Sequence, residues 1–439
     1  MERNISRIKE WVNQHPTERI QNLSMFINYD NLLLAISKVD GTKATGIDKV
    51  TKDMYLEKKE EYLDNLVKRL KYGDYKPIPS KRVYIPKTGS NKKRPLGIPS
   101  FEDKIVQVVI AEILEIIYEP LFLNNSYGFR PNKNCHQAVK EITRLIQTKK
   151  VNNVCDIDIK GFFDNVNHEW MIKFLEYRIN DKKFINLISK FLKAGIMESG
   201  KYFDTEKGTP QGGIISPILA NIYLHFVLDL WFEKKFKKEC IGEAYLIRYA
   251  DDFVCLFQKV EDTKAFTREL NKRVSEFGLE VSQEKSKTIE FGRFAIENRE
   301  RRGESKPETF NFLGFTFYCS FSYDTNVFVV KVKTDRGKLR SKLNNFREWI
   351  KKVRTFDIED IVKVLRLKLL GHYRYYGVTY NFRGIYKYYH YVLKELYKWL
   401  NRRSQKKSFN YEQFNNKVNI EWNIPKPRLY INLLDYVYS

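Results

Sequence analysis

The sequence predicts an α+β fold in which strands and helices alternate through most of the chain and helices alone form its last quarter. Two strand-length apolar runs flank the adjacent carboxylates Asp251 and Asp252, and an earlier alternating run carries Asp156 and Asp158. Within residues 358–399, apolar residues instead recur at helical spacing. Strands interleaved with helices, followed by helices alone, are typical of an α+β architecture.

The composition indicates a globular protein that binds a polyanion. The 439 residues are 43% hydrophobic and 30% charged, with a formal net charge of +24. Such a charge favours nucleic acid as the partner, with a membrane surface as the alternative. Residues 331–439 hold 25 Lys and Arg against 9 Asp and Glu, so a quarter of the chain carries two thirds of the excess charge. This asymmetry predicts a dedicated nucleic-acid-binding domain.

Membrane, zinc and disulfide chemistry are not expected. The sequence has no run of about 18 apolar residues and no signal-peptide pattern, which predicts an intracellular protein. Its five cysteines form no C-x-x-C pair and its six histidines no H-E-x-x-H motif. The cysteines are therefore expected to be buried, reduced thiols.

The N-terminal third is predicted to contain helices and one strand pair. Residues 1–75 are expected to be helical, with 50–72 forming one amphipathic, solvated helix. Residues 76–99 alternate apolar with polar or Pro positions around a basic loop, which predicts a strand–loop–strand unit. Such a loop suits closure over a triphosphate, and a solubilising loop is the alternative. Residues 101–118 are apolar nearly all round and predict a buried helix.

Arg130 precedes a second predicted helix, which ends at about Gln147. Its guanidinium is expected either to reach a phosphate or to brace the fold. Farther along the chain, Asp164, Asn165 and His168 are interpreted as cap or turn residues at the entry of the next helix.

The acidic residues point to a metal site. Alternation from Val154 to Ile159 places Asp156 and Asp158 on one face of a strand. The apolar runs around Asp251 and Asp252 predict a hairpin with both carboxylates at its turn. Adjacent carboxylates repel each other, and a strand acid beside two hairpin acids suits two Mg²⁺ ions that clamp the oxygens of a phosphoryl transfer. A solvated Asp-Asp turn and a surface strand are the alternatives.

Four further segments complete the predicted organisation. Gly208–Gly213 predicts a turn that lets the backbone approach a ligand and then opens a helix. After the hairpin a helix ends at Gly278, and Arg293–Lys306 is predicted to be an exposed loop. The resulting β-α-β-β-α-β order is palm-like. Gly371–Gly377 interleaves basic and aromatic residues, which favours nucleic-acid binding, with a Tyr-rich helical core as the alternative.

Several motifs stand in the order of a known family between about residues 40 and 380. They are Tyr249-Ala250-Asp251-Asp252, Asp158-Ile-Lys-Gly-Phe-Phe-Asp164, and Gly208-Thr-Pro-Gln-Gly-Gly-Ile-Ile-Ser-Pro217 with Leu219-Ala-Asn221. The chain thereby resembles a group II intron-encoded reverse transcriptase, also called a maturase, in the form without an endonuclease domain. The resemblance implies a right-hand polymerase with an N-terminal extension (1–75), fingers and palm (76–330), and a basic, mainly helical thumb or maturase domain (331–439).

The resemblance also implies roles for single residues. The catalytic and metal-binding residues would be Asp158, Asp251 and Asp252, holding two Mg²⁺ ions, with Mn²⁺ as a substitute. The nucleotide-binding residues would be Lys87, Arg94, Phe163 and Gln211. Phe163 would lie beneath the sugar and exclude a ribose 2′-hydroxyl, with a core phenylalanine as the alternative. The residues that bind primer or template would be Lys285, Leu313, Gly314, Arg374 and Tyr375.

The function implied is that of an RNA-directed DNA polymerase that also assists splicing and mobility of its intron. Its expected partners are intron RNA, an RNA template, a DNA primer or target, and dNTPs, in the bacterial cytoplasm or nucleoid and without a membrane. The alternatives are a reverse transcriptase co-opted for phage defence or CRISPR, and a splicing maturase with little polymerase activity.

Overall fold

The computed structural model describes residues 4–86, 93–209, 212–403 and 408–435. The strands in these ranges are β1 (Ser80–Pro86), β2 (Lys93–Ile98), β3 (Asn153–Ile157), β4 (Ile196–Glu198), β5 (Lys201–Phe203), β6 (Ala244–Tyr249), β7 (Asp252–Phe257), β8 (Lys287–Glu290), β9 (Phe310–Phe312), β10 (Phe315–Phe321) and β11 (Phe328–Thr334).

Helices cover more of the described chain than strands do. The α-helices are α1 (Ser6–Gln14), α2 (Tyr29–Lys38), α3 (Lys52–Glu57), α4 (Lys59–Tyr72), α5 (Phe101–Tyr118), α6 (Cys135–Thr148), α7 (Phe162–Asn165), α8 (His168–Glu176), α9 (Lys182–Leu192), α10 (Ser216–Leu224), α11 (Lys237–Glu239), α12 (Val260–Glu276), α13 (Ala295–Arg301), α14 (Arg336–Val353), α15 (Ile358–Tyr376), α16 (Phe382–Leu400) and α17 (Tyr411–Asn416). Short 3₁₀ segments lie at Leu23–Phe26 and Glu119–Leu121, and π-helical turns at His225–Asp229, Phe232–Phe236 and Lys417–Glu421. This mixture confirms the α+β class.

The described chain has two hydrophobic cores, which lie on opposite faces of a four-stranded antiparallel sheet with the order β6–β7–β3–β8. Successive residues of a strand point to opposite faces, so β7 sends Phe253 and Cys255 into one core and Val254 and Leu256 into the other. The predicted β-α-β-β-α-β order is confirmed, because β3, α8, β6, β7, α12 and β8 follow one another in this sense, with additional elements between them.

The first core is built around α5. This helix is buried on nearly all sides, as predicted, and Ser100 caps its N-terminus by accepting a hydrogen bond from the Asp103 backbone. The N-terminal region is helical as expected. Residues 50–72, however, form the two helices α3 and α4 and not one, because the backbone leaves the helical conformation at Lys58.

The predicted strand–loop–strand unit is the β1–β2 hairpin. Its antiparallel register pairs Arg82 with Gly97 and Ile85 with Arg94. β1 also pairs in parallel with β4, a three-residue strand that was not predicted. Lys87, at the predicted loop, lies outside the described residues.

The second core joins the central sheet to the C-terminal helices. It contains α6, the β9–β10–β11 sheet and the buried faces of α14, α15 and α16. The predicted helical region begins only at Arg336, because residues 328–334 complete the β10–β11 hairpin across the proposed boundary at residue 330. The division into three domains remains a prediction.

The segment Arg293–Lys306 is mostly exposed, as predicted, but it is not all loop. Residues 295–301 form α13, in which Ala295 is the buried residue. Glu297 and Arg301 form an i,i+4 ion pair along this helix, and Arg302 pairs with Glu290. An i,i+4 ion pair modestly stabilises a helix. The composition of a charged segment does not by itself indicate that it is helical.

The five cysteines are free. Cys155 and Cys255 are buried as predicted, whereas Cys135, Cys240 and Cys319 are only partly buried. No helix in the described ranges is long and apolar enough to cross a membrane.

Acid is expected to destabilise the second core through His372. Its imidazole stacks on Tyr388 with the ring centroids 3.9 Å apart, and neither ring nitrogen has a hydrogen-bond partner among the described residues. Burial, with a smaller contribution from the Lys342 charge, lowers the pKa of His372 to about 3. The unfolded chain takes up this proton below pH 6.5 while the folded protein does not. Stability present above that pH is therefore lost as the pH falls towards 3.

We expect a shift from pH 7 to pH 5 to cost the wild type about 2 kcal/mol more than His372→Phe. Denaturant unfolding at pH 5, 7 and 8 measures this difference. At pH 8 both states of the wild type carry a neutral imidazole, so that pH isolates the change in packing. Equal pH slopes for the two proteins would contradict the expectation.

Candidate active site

The β6–β7 turn carries Asp251 and Asp252, as predicted. Tyr249 pairs with Asp252 across the hairpin, so Ala250 and Asp251 form a two-residue turn. Ala250 has a φ of 56°, in the left-handed region that a residue with a Cβ adopts at a cost. The turn therefore projects two neighbouring carboxylates from the end of a buried hairpin.

Asp158 lies just beyond the end of β3 and not within it. Ile157, the last residue of β3, pairs with Phe253, which brings Asp158 beside the start of β7. The Asp158 backbone nitrogen donates to the Ser286 hydroxyl at 3.1 Å, and its Oδ2 accepts a hydrogen bond from Lys285 Nζ at 2.6 Å. Lys285 thus contacts Asp158, one of the three candidate catalytic residues.

The carboxylates are electrostatically coupled. The Asp252 side chain is exposed to solvent on one side. Desolvation by the surrounding protein nevertheless raises its pKa to about 6, and the negative charges of Asp251 and Asp158 add smaller contributions. The same desolvation raises the pKa of Asp251, while the positive charge of Arg94 opposes both shifts. The charges of Asp158 and Arg94 thus act on both turn carboxylates in opposite directions.

Asp156 is the other acidic residue of the alternating run that leads to Asp158. It lies in β3 between Val254 and Lys287. Burial raises its pKa to about 6, with Lys287 opposing the shift and Asp252 adding to it.

A cleft of about 490 Å³ opens over the turn. Five of the predicted site residues line it: Arg94, Phe163, Asp251, Asp252 and Leu313. The rest of the lining is Leu96, Phe129, Gly212, Gly213, Ser216, Pro217, Tyr249 and Ala250. Phe163 is half-buried in this wall whereas Phe162 is 1% exposed, so the two adjacent rings have different environments.

The start of the glycine-rich loop is fixed against the Phe163 segment. The Thr209 backbone nitrogen donates to the Phe163 carbonyl at 2.7 Å, and that of Gly208 donates to the Val166 carbonyl at 2.7 Å. His168 Nε2 lies 2.7 Å from the Gly208 carbonyl. Gln211 lies outside the described residues.

His168 is therefore the first residue of α8 and a support for this loop, and not a cap. The cap of α8 is Asn167, whose side chain accepts from the Trp170 backbone at 3.0 Å. Asp164 and Asn165 belong to the short helix α7.

A second turn at the cleft contains Leu313 and Gly314, both with positive φ. Tyr375 supports it from the side of α15 by donating its hydroxyl to the Leu313 carbonyl at 2.9 Å. A Cβ at Gly314 would lie 2.9 Å from the Tyr376 hydroxyl. Arg374 is exposed on the same helix.

Arg130 braces the fold. It is 8% exposed, forms an ion pair with Glu119 at 2.8 Å, and donates to the carbonyls of Leu123 and Ser126 at 2.6 and 2.7 Å. These contacts decide between the two interpretations of this residue.

A buried ion pair that was not predicted from the sequence lies behind the turn. Arg248 and Asp229 are both 0% exposed, and their side chains approach to 2.5 Å. Arg248 also donates to the Asn221 side chain and to the Ala250 carbonyl. A signal was present, because each is an isolated charge in an apolar run, and a buried charge requires a partner.

The carboxylates match the oxygen ligands that Mg²⁺ prefers. Among the described residues, no three His, Cys, Asp or Glu side chains lie close enough together to form a preformed metal-binding site. Asp158 Oδ2 is engaged by Lys285. Asp251 and Asp252 line the cleft together, so the donor set fits a divalent cation by its chemistry and charge.

Gly128→Ala is expected to displace the β6–β7 turn. A Cβ at Gly128 would overlap the Ala250 backbone nitrogen and lie 2.9 Å from the Tyr249 carbonyl carbon, where backbone cannot yield cheaply. We expect overpacking to lower the free energy of unfolding by about 1–3 kcal/mol. We also expect Mn²⁺ affinity to fall, because the turn that carries Asp251 and Asp252 is displaced. Thermal unfolding and Mn²⁺ binding measure the two effects.

Gly371→Ala in α15 is the matched control. A Cβ there meets nothing within 4 Å, so this change should stabilise the helix by roughly 0.5–1 kcal/mol. Wild-type stability and ion binding in Gly128→Ala would contradict the close approach.

Comparison with known proteins gives the family. Residues 85–317, just over half of the chain, match the family described as "Reverse transcriptase (RNA-dependent DNA polymerase)". The chain is 44% identical over 218 residues to the "Group II intron-encoded protein LtrA" of Lactococcus lactis subsp. cremoris, covering 49% of the chain and 35% of LtrA. It is 36% identical over 237 residues to the "Putative COX1/OXI3 intron 2 protein" of Saccharomyces cerevisiae, covering 52% of the chain and 26% of that protein.

Over a longer span the chain is 30% identical to "Protein YkfC" of Escherichia coli (strain K12), through 341 residues that cover 68% of the chain and 89% of YkfC. The match thus spans about a third of LtrA and most of YkfC. From the family match and these similarities, the chain belongs to the reverse transcriptase (RNA-dependent DNA polymerase) family, among the group II intron-encoded proteins and maturases.

Proposed function

We propose that this chain is an RNA-directed DNA polymerase of the group II intron type. It extends a primer on an RNA template by attack of the 3′-hydroxyl on the α-phosphate of a dNTP, and pyrophosphate leaves. The observation that carries this proposal is the convergence of Asp251 and Asp252 with Arg94 and Phe163 in one cleft, with Asp158 coupled to it. Family membership supports the same reaction.

The three aspartates are proposed to hold two Mg²⁺ ions, or Mn²⁺ in their place. When bound, these ions would lower the pKa of the 3′-hydroxyl and neutralise charge on the leaving group. Lys285 pairs with Asp158 through a partly exposed contact. In the proposed function this lysine lies near the primer or nucleotide and balances negative charge at the edge of the site.

Arg94 is proposed to bind the triphosphate with Lys87, since its charge already acts on both turn carboxylates. The half-buried Phe163 ring is proposed to lie beneath the deoxyribose. The Thr209 backbone holds the Phe163 backbone in place through its hydrogen bond to the Phe163 carbonyl. Gln211 is proposed to align the nucleotide.

The Leu313–Gly314 turn is proposed to contact the primer end, because Leu313 lines the cleft that holds the carboxylates. Tyr375 acts there as a support, while the exposed Arg374 is available to a phosphate. In this proposal the fingers and palm carry the cleft and the C-terminal helices form the thumb.

The solvent-facing side of α16 supports nucleic-acid binding by this thumb. It presents an aromatic ladder, in which Phe382 stacks on Tyr386 at 5.8 Å and Tyr386 meets His390 at 4.2 Å. A basic stripe runs beside the ladder and consists of Arg383, Lys387, Lys394 and Lys398, all exposed. Cations bind phosphates and rings stack on bases or sugars. The same face suits intron RNA, which favours splicing assistance as a second activity.

The test is primer extension on an RNA template with dNTPs and Mg²⁺. We expect the Asp251→Ala/Asp252→Ala variant to lose extension by roughly 1000-fold or more, since removal of ion ligands costs several kcal/mol of transition-state stabilisation. Its affinity for primer–template should change little. Asp64→Asn, an exposed change on α4, is the control.

Extension by wild type alone establishes the polymerase and its carboxylates together. Equal extension by wild type and the double variant would move the reaction elsewhere in the chain. No extension by either protein, with tight binding to structured RNA, would favour the maturase activity.

Phe163→Ala is expected to relax sugar selection. Removal of the ring opens space for a 2′-hydroxyl, so the efficiency for rNTPs relative to dNTPs should rise by roughly 10- to 100-fold. Single-nucleotide incorporation with each nucleotide type measures the ratio. Phe162→Leu, in the adjacent core position, should lower stability and leave the ratio unchanged.

A further inference from the structure

A fully buried guanidinium lies directly behind the catalytic turn. Arg248, on β6, is 0% exposed and donates through Nη1 to the Ala250 carbonyl at 2.9 Å. Ala250 is the left-handed residue that immediately precedes Asp251. The Ala250 carbonyl and the Asp251 nitrogen belong to one planar peptide unit. This hydrogen bond therefore orients the backbone from which the Asp251 side chain, a proposed ion ligand, projects.

Two other side chains fix the orientation of the guanidinium. Asp229 accepts from Nε at 2.8 Å and from Nη2 at 2.5 Å, which is a bidentate pair. Asn221 Oδ1 accepts from Nη1 at 3.0 Å, and the Asn221 amide donates to the Gly128 carbonyl at 2.8 Å. Four hydrogen bonds to three residues leave the guanidinium little freedom to rotate.

The network connects elements on both sides of the cleft. Asn221 lies on α10, which begins just after the glycine-rich loop, and Asp229 ends the π-helical turn that follows α10. Gly128 packs against the Ala250 backbone. The guanidinium therefore joins the wall proposed to hold the nucleotide to the turn proposed to hold the ions.

We propose that Arg248 is a positioning residue of the polymerase: it clamps the Ala250 carbonyl, and Asp229 and Asn221 hold it in register. This inference rests on the proposed function for its kinetic consequence. A buried ion pair is weak evidence of a stabilising role, because apolar replacements of similar volume often preserve stability. Fixing the geometry of the turn is a role that such replacements cannot supply.

The experiment separates positioning from folding. In Arg248→Met/Asp229→Leu the charge pair is replaced without leaving an unpaired buried charge. The variant is compared with wild type by thermal unfolding, by single-turnover incorporation of one dNTP on an RNA template, by primer–template affinity, and by Mn²⁺ titration followed by EPR. Arg248→Gln/Asp229→Asn serves the same purpose if the apolar pair does not fold.

Arg178→Lys is the matched control. Arg178 is likewise buried, with 2% of its surface exposed, and it donates to the backbone carbonyls of His15 and Pro16 in the N-terminal part of the first core. We expect this control to lose stability while it keeps the wild-type incorporation rate and Mn²⁺ affinity.

We expect the folded double variant to lose maximal incorporation rate by on the order of 100-fold, the scale of a misplaced catalytic group. Its Mn²⁺ affinity should fall, and its primer–template affinity should stay within about twofold of wild type. A folded variant with wild-type rate and Mn²⁺ affinity would overturn the inference. If wild type itself fails to incorporate dNTPs, the proposed function fails, and the Mn²⁺ titration alone then decides whether Arg248 positions the turn.

Discussion

The pairing of β3 with β7 is the constraint on which the candidate site depends. Ile157 opposes Phe253, and this register places Asp158 beside the turn that carries Asp251 and Asp252. A slip of one residue would send every side chain of a strand to the opposite face. Both faces of this sheet are covered by hydrophobic core, so a slip would exchange residues between two differently shaped interiors. The end of β3 therefore lies beside the β6–β7 turn because the apolar residues beneath both favour one register.

The β3–β7 register places negatively charged side chains near one another, and Lys285 and Arg94 partly compensate this charge. The Lys285 side of its pair with Asp158 is 55% exposed, so the pair contributes only roughly 0–1 kcal/mol. A divalent cation can therefore compete with the lysine for Asp158 at small cost. Arg94 opposes the raised pKa values of both turn carboxylates from the β1–β2 hairpin. The site is thus held together by the sheet and not by its own charges.

Periodic segments could be predicted and long-range partners could not. The β6–β7 hairpin and the buried helix α5 follow their apolar patterns almost residue by residue. The helix α13 was missed because its segment is charged and mostly exposed, with Ala295 as its buried residue, so no apolar stripe marks a helix there. Asp158 was assigned to a strand that ends one residue earlier, where the chain turns to hydrogen-bond with Ser286. The partner of Arg248 lies 19 residues away in a π-helical turn, and no local pattern specifies that distance.

The two turns at the cleft are built in the same way. Ala250 and Leu313 both have Cβ atoms and both adopt a left-handed φ, which costs roughly 1–2 kcal/mol each. In each case a side chain from behind donates to the carbonyl of the strained residue: Arg248 at Ala250 and Tyr375 at Leu313. Strain of this kind persists only where surrounding contacts over-determine the backbone. The conformational strain of these two turns is therefore offset during folding and not during substrate binding. Groups that are fixed before substrate binds need no reorganisation when charge develops in a reaction.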